Sequence, residues 1–356
     1  MRILITGICG FTGSCLAASL RENRAGLEVF GIDNFVRRGS EQNRSKLSAL
    51  GVNVVHGDIR HAKDMDALPA ADWVIDAAAN PSVLAGVDGK SSSRELMENN
   101  LWGAIEVLEY CKRHRAGLLL LSSSRVYSIA ALAALPLKSA NDAFTLDGSS
   151  NLAGGVSPAG IGVDFSTEPP LSLYGASKRA SEIAALEYGA AFGFPVWIDR
   201  CGVLAGAGQF GTAEQGIFSY WINAHLRRRP LRYIGFEGSG FQSRDALHPN
   251  DLSALLLHQI DCARTAGART YTVGGGPANG MSLKQLTAWC DARFGPHEVA
   301  RDPRPRPYDV PWVAMDSRAA EADFGWRREK PLASILEEIA RHAEQNPRWL
   351  EISGVA

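Results

Sequence analysis

The chain has 356 residues, more than one hydrophobic core usually supports, so two lobes are expected. Hydrophobic residues make up 46% and charged residues 21%, a globular balance, and a net charge of −1 without a long basic block excludes nucleic acid as a partner. The six cysteines, Cys9, Cys15, Cys111, Cys201, Cys262 and Cys290, form no Cys-x-x-Cys pair and stand at no zinc-finger spacing, so no disulfide framework and no metal are expected, and a reducing cytoplasm suits them.

The opening apolar run stops at Gly7, too short for a signal peptide or a membrane span, so no membrane partner is expected. Residues 3–6 read as a strand and 13–21 as a helix. Further strands are expected at 28–32, halted by Asp33-Asn34, and at 52–55, followed by His56-Gly57-Asp58. The next are 73–75, running into an alanine-rich turn, then 118–121, ending at Ser122-Ser123-Ser124, and 195–198. Residues 104–115 and 174–192 carry helical apolar spacing. Strands alternating with helices imply right-handed crossovers and a parallel sheet covered on both faces. The expected class is therefore α/β, a Rossmann-type doubly wound parallel sheet. From about Gly202 the alternation weakens and glycine- and proline-rich loops take over. A smaller C-terminal substrate-binding lobe is expected there, over the carboxyl end of the sheet. The run Arg227-Arg228-Arg229 reads as a solvated helix end.

Gly7-Ile8-Cys9-Gly10-Phe11-Thr12-Gly13 follows the first strand and opens the first helix. Gly7 permits a tight turn, Gly10 lets the backbone approach a pyrophosphate, and Gly13 lets helix pack on strand. The helix N-terminus offers free N–H groups to the anion. Asp33 ends the next strand 20 residues after Gly13. A carboxylate there accepts hydrogen bonds from a ribose diol and repels a 2′-phosphate, which favours NAD over NADP. Arg37 and Arg38 pull weakly the other way. Asp58, after the third strand, is placed to reach the adenine.

Tyr174 and Lys178 form Tyr-x-x-x-Lys at the start of a helix, a spacing that sets both side chains on one face. An ammonium beside a phenol favours the phenolate, and the tyrosine can then take a proton from a sugar hydroxyl while hydride leaves the same carbon. Lys178 can also hold the nicotinamide ribose. Ser123, at the end of the fifth strand, can hydrogen-bond the reacting oxygen beside Tyr174; its plainer role is a polar cap on the strand end.

Taken together, these motifs resemble the extended short-chain dehydrogenase/reductases, the NAD-dependent epimerase/dehydratase family. The matches are the Gly7 loop, Asp33-Asn34, Gly57-Asp58-Ile59-Arg60, Asn100 before Gly103, Ser123 before Val126-Tyr127, and Tyr174 with Lys178. Further on come Arg244-Asp245-Ala246-Leu247-His248 with Asp251, and Arg306 with Asp309. The resemblance implies a cytoplasmic homodimer that epimerises, dehydrates, decarboxylates or reduces nucleotide-diphosphate sugars, paired through the helices near Asn100 and Tyr174. It adds Phe11, Thr12, Asn34, Ile59 and Asn100 to the cofactor contacts, and Ser124, Arg125, Gln209, Gln215, Arg244 and Arg306 to the substrate contacts. Arg244 and Arg306 would grip the diphosphate, or else form ion pairs with Asp245 and Asp309. It also implies that the chain returns to the first lobe near 247–273. The division is then 1–201 with that return, against 202–246 and 274–356. Within the family, the Gln209-Phe210…Gln215-Gly216 and Gln242…His248 segments and the insert before Tyr174 are similar to the branch that inverts C2 of a CDP-linked sugar.

The 4,6-dehydratases of the family carry Asp-Glu where this chain has Ser124 and Arg125. Neither can act as a carboxyl general acid, so epimerisation by transient oxidation is the favoured reading. A 4-epimerase, a 4,6-dehydratase and a non-catalytic NAD-binding protein are the alternatives, since fold does not imply function.

Overall fold

The computed structural model describes residues 1–89, 91–262 and 269–355. Its central sheet has seven strands: β1 (Arg2–Thr6), β2 (Glu28–Asp33), β3 (Asn53–His56), β4 (Trp73–Asp76), β5 (Gly117–Ser123), β6 (Val196–Cys201) and β7 (Arg269–Val273). They run in the order 7-6-5-4-1-2-3, and every pairing is parallel. The doubly wound sheet expected from the alternation is the one found. The strand order reverses between β1 and β4.

The helices that matter here are α1 (Phe11–Asn23), α2 (Gly103–His114), α3 (Leu173–Phe192), α4 (Ile217–Leu226), α5 (Pro249–Cys262), α6 (Leu283–Phe294) and α7 (Leu332–Gln345). Successive strand residues point to opposite faces, so a strand buried on both sides must be apolar throughout. In β1, Ile3 and Ile5 join Leu16 and Leu20 of α1 and Leu252, Leu255 and Leu256 of α5 on one face. Leu4 joins Phe30, Val74, Val107, Leu108 and Ala185 on the other, against α2 and α3. A separate apolar cluster, including Phe218, Trp221, Ile222, Leu286, Ile335 and Ile339, binds α4, α6 and α7 together.

The insert between Tyr127 and Tyr174 holds a short helix, Ile129–Ala133, and two hairpins, Leu137–Ala140 with Ala143–Leu146 and Val156–Ser157 with Gly160–Ile161. The first hairpin turns through Asn141 and Asp142, both at positive φ (50° and 59°), as a two-residue connection requires. Its tip docks on the start of α6: Ser282 Oγ donates to the Asp142 carbonyl at 2.7 Å and Gln285 Nε2 to that of Asn141 at 2.8 Å. The basic run at 227–229 caps helix ends. Arg228 donates to the carbonyls of Phe294, Gly295 and Pro296 at 2.7, 3.0 and 2.7 Å.

One buried carboxyl gives the fold a pH dependence. Asp199, in β6, is wholly buried and accepts a single bond, from Gln259 Nε2 at 2.8 Å, while Oδ2 has no partner. Burial pushes its carboxyl up to about 7, against the lowering effect of the Gln259 bond. A carboxyl raised in the folded state contributes most below its unfolded pKa, and that contribution is lost as pH rises from about 4 through about 7. Asp199→Asn is therefore expected to melt above the parent at pH 8, by on the order of 5 °C. Melting curves across pH should show the gap opening between about 4 and about 7; a gap independent of pH contradicts the assignment.

Candidate functional site

A cavity of about 760 Å³ opens at the carboxyl ends of the strands, where the strand order reverses. This is the crevice in which open α/β sheets bind ligands. Gly7, Gly10, Phe11, Thr12 and Gly13 line it with Asp33, Asn34, Asp58 and Ile59. Across from them stand Ser123, Ser124, Arg125, Tyr174 and Lys178, and the same cavity reaches Gln209, Gln215, Arg244 and Arg306. Of the residues expected to touch cofactor, substrate or the reacting atoms, only Asn100 is missing from the wall. It is buried one layer back, its amide accepting from the Asn80 N–H at 2.8 Å and donating to the Asn80 carbonyl and Ser177 Oγ at 3.0 and 3.1 Å. It therefore positions Asn80, which does line the cavity.

The glycine loop is tight for a steric reason. Gly7 has φ +60°, and a Cβ there would lie 2.9 Å from Ala78 Cα; one on Gly13 would lie 2.4 Å from the Gly7 carbonyl oxygen. Gly10 is the N-cap of α1 and brings no side chain between the helix end and a ligand. Asp33 braces this loop as well as facing it. Its carboxylate accepts the Cys9 and Phe35 N–H groups, each at 2.8 Å, and burial pushes the carboxyl up while these backbone bonds oppose the shift. Asn34 Nδ2 donates to Asp58 at 3.1 Å, and Arg60 grips the same carboxylate at 3.0 and 2.7 Å. Burial raises the Asp58 carboxyl, but the Arg60 bonds prevail and hold it well below the usual range.

At the far end, Ser172 caps α3 by accepting from the Gly175 N–H at 3.0 Å, which starts the helix one residue before Tyr174. Tyr174 and Lys178 are both buried. Lys178 Nζ donates to the Leu121 carbonyl at 3.0 Å, which anchors it on the strand that carries Ser123. Ser123 Oγ accepts from the Arg125 N–H at 3.2 Å, so its own proton is free to point at a ligand. It caps the turn after the strand and lines the cavity at once.

Three guanidinium groups share this end. Arg125 Nη1 donates to the Tyr308 carbonyl at 2.9 Å, and burial together with the neighbouring Arg244 brings its pKa down to about 10. Arg244 pairs with Asp309 at 2.8 Å. Its sequence neighbour Asp245 is occupied elsewhere, accepting the Gly276 and Met315 N–H groups at 2.9 and 3.1 Å. Among the described residues Arg306 has no carboxylate partner; it donates to the Ala213 carbonyl at 3.3 Å. With one carboxylate among three cations, the local charge is positive.

Gln209 and Gln215 line the cavity, and the protein engages part of each side chain, leaving Gln209 Oε1 without a partner among the described residues. Gln209 Nε2 donates to the Leu204 carbonyl at 2.7 Å, and Gln215 Oε1 accepts from Arg37 at 3.1 Å. Arg37 also donates to the Phe210 carbonyl, so it stitches the loop after β2 to the 209–216 segment. No local pattern in the sequence announces this contact, because its ends lie 173 residues apart. Tyr308 and Asn80 were likewise not visible as wall residues.

A parallel sheet in this order, with a glycine loop at the reversal and Asp33 ending β2, defines a dinucleotide-binding enzyme. The chain belongs to the NAD dependent epimerase/dehydratase family, whose sequence model matches residues 3–274, and its cofactor is NAD. The CDP-paratose 2-epimerase of Salmonella typhi is 28% identical over 293 residues, 80% of this chain and 82% of the relative. The UDP-glucose 4-epimerase of Corynebacterium glutamicum is 26% identical over 351 residues, 95% of this chain and 94% of the relative. The fold matches that of the UDP-glucuronic acid 4-epimerase of Bacillus cereus, solved with UDP-glucuronic acid and NAD. The TM-score is 0.76 at 22% identity, covering 97% of this chain and 99% of that one. The cavity fits the cofactor: a side-chain-free helix end suits the pyrophosphate, and the buried Asp33 carboxylate suits a ribose diol.

Proposed function

We propose that the protein is a nucleotide-sugar epimerase that inverts a hydroxyl-bearing carbon by transient oxidation to a keto sugar. The observation that carries this is one cavity lined by Tyr174, Lys178 and Ser123, in which the two residues after Ser123 are not carboxylates. NAD, when bound, supplies a reversible hydride acceptor. The Tyr174 oxygen takes the proton of the reacting hydroxyl. Lys178, fixed on Leu121 and on the same helical face as Tyr174, holds the nicotinamide ribose, and Ser123 donates a hydrogen bond to the reacting oxygen. With its other face presented to the cofactor the keto sugar would be reduced again, and Tyr174 would give the proton back to the reforming hydroxyl. The 202–246 and 274–356 segments form the substrate-binding lobe, and Arg244 and Arg306, with Arg125, hold the diphosphate by charge-assisted bonds. Ser124 completes the sugar site, and Gln209 and Gln215 shape it from the 209–216 segment.

The finer reading is inversion at C2 of a CDP-linked sugar, which the Salmonella relative and the Gln209–Gly216 and Gln242–His248 segments support. Incubation with CDP- and UDP-linked hexoses, followed by mass spectrometry and proton NMR, is expected to give a product of unchanged mass with inverted C2 couplings. Inversion at C4 would keep the enzyme class and reject the C2 reading. Loss of one water would mean a dehydratase.

The same family likeness supports a cytoplasmic homodimer. Trp102, Ile183 and Phe192, at the start of α2 and along α3, are 51, 49 and 50% exposed, and burying such residues favours pairing of these helices across a two-fold axis. Among the described residues no helix is long and apolar enough to cross a membrane. Light scattering at micromolar concentration should return the mass of two chains; a monomer refutes the dimer.

A further inference from the structure

Glu182 is a buried charge that the proposed chemistry leaves unused. It lies one helical repeat beyond Lys178 and two beyond Tyr174, so the three share one face of α3. Its carboxylate is fully buried and fully engaged. Oε1 accepts from Ser122 Oγ at 2.5 Å and from Arg200 Nε at 3.0 Å. Oε2 accepts from Arg200 Nη2 at 2.8 Å and from Arg179 at 3.0 Å. Ser122 and Arg200 are direct partners across β5 and β6. Arg200 reaches further, donating to the Val163 carbonyl of the insert at 2.9 Å. Its guanidinium also lies 5.3 Å from the ring of Tyr127, whose hydroxyl donates to the Gly162 carbonyl at 3.0 Å. One carboxylate thus joins the helix of Tyr174, the strand of Ser123, the neighbouring strand and the insert.

A buried ion pair is weak ground for stability, because desolvation of both charges offsets their attraction. What a bidentate pair supplies is geometry, two parallel bonds at fixed spacing. Among the described residues the Ser123 side chain is held by the Arg125 N–H alone, while its backbone pairs with Cys201 in the sheet. Ser122, directly before it, is tied to α3 through Glu182 and so fixes how that strand end sits against the helix of Tyr174. We propose that Glu182 and Arg200 are positioning residues for the reaction. By clamping Ser122 to α3 they hold the Ser123 and Tyr174 oxygens on one substrate atom, and through Val163 they fix the insert beside them. This rests on Ser123 and Tyr174 being the reacting pair.

The test uses the NAD-bound enzyme. Glu182→Met combined with Arg200→Met removes both charges at similar volume and leaves no lone buried ion, a replacement that buried pairs tolerate. With the CDP- and UDP-hexose panel, the double variant should keep its NAD and hold KM within about threefold while kcat falls about 100-fold, the effect of a displacement of about 1 Å. Its crystal structure should show the Ser123 Oγ to Tyr174 Oη distance changed by about 1 Å. A folded double variant with parental kcat, or with that distance unchanged, overturns the proposal. Should the double variant not fold, Ser122→Ala, which deletes one neutral donor, decides by the same split: kcat down about tenfold at constant KM supports it, and parental kcat overturns it. Activity surviving in Tyr174→Phe would instead show that the underlying reading is wrong, whatever Glu182 does.

Discussion

Tyr174→Phe is expected to abolish turnover, lowering kcat by roughly 1000-fold or more while NAD content and KM stay close to the parent values. The ring is buried at the start of α3, so phenylalanine fills the same space and removes only the oxygen proposed to exchange the proton. An interaction used only in the transition state shows itself in kcat, whereas one used for binding shows itself in KM. Steady-state kinetics alongside the NAD content of the purified variant separates the two. A variant that keeps more than about a tenth of parental kcat removes Tyr174 from the reaction. Parental KM and kcat when excess NAD is supplied, with NAD lost on purification, would place the residue in cofactor binding alone.

Asp33→Ala should weaken NAD binding by about 100-fold, the effect of losing two charge-assisted hydrogen bonds. The ribose would lose its proposed acceptor, and the loop loses its brace, since the Cys9 N–H at the heart of the glycine turn donates to this carboxylate at 2.8 Å. Asp33→Asn keeps one carbonyl oxygen and is expected to fall between the parent and the alanine variant. Calorimetric titration of the apoprotein with NAD measures both. Affinity within about threefold of the parent in Asp33→Ala would show that neither contact matters.

The first half of the fold was legible because its central strands are buried on both faces and must be continuously apolar, the edge strand β3 being the exception. The expected 118–121 and 195–198 runs lie within β5 and overlap β6, and the helix expected at 174–192 is α3 less its first residue. The hairpins of the insert were not legible. Leu137-Lys138-Ser139-Ala140 is mostly exposed and has no alternating apolar pattern; the only clue was Asn141-Asp142, a residue pair that tolerates positive φ. Motif spacing placed the glycine loop, Asp33, Tyr174, Lys178 and Ser123 around one cavity, because in a doubly wound sheet the end of every strand faces the same crevice. Spacing could not show that Gln215 is engaged by Arg37, that Asn100 supports Asn80 from behind, or that Ser122 reaches Glu182. These contacts join residues 178, 20 and 60 positions apart and depend on tertiary packing.

In the proposed reaction the reacting carbon gives up its hydrogen as hydride and takes the same hydrogen back on the opposite face. A nucleotide sugar carrying deuterium at that carbon, incubated with the enzyme in ordinary water, tests it most directly. Product of unchanged mass, inverted at the labelled carbon, should retain the deuterium there. Inverted product in which the label has exchanged with solvent would mean that the carbon was deprotonated rather than oxidised, and would rule out transient oxidation.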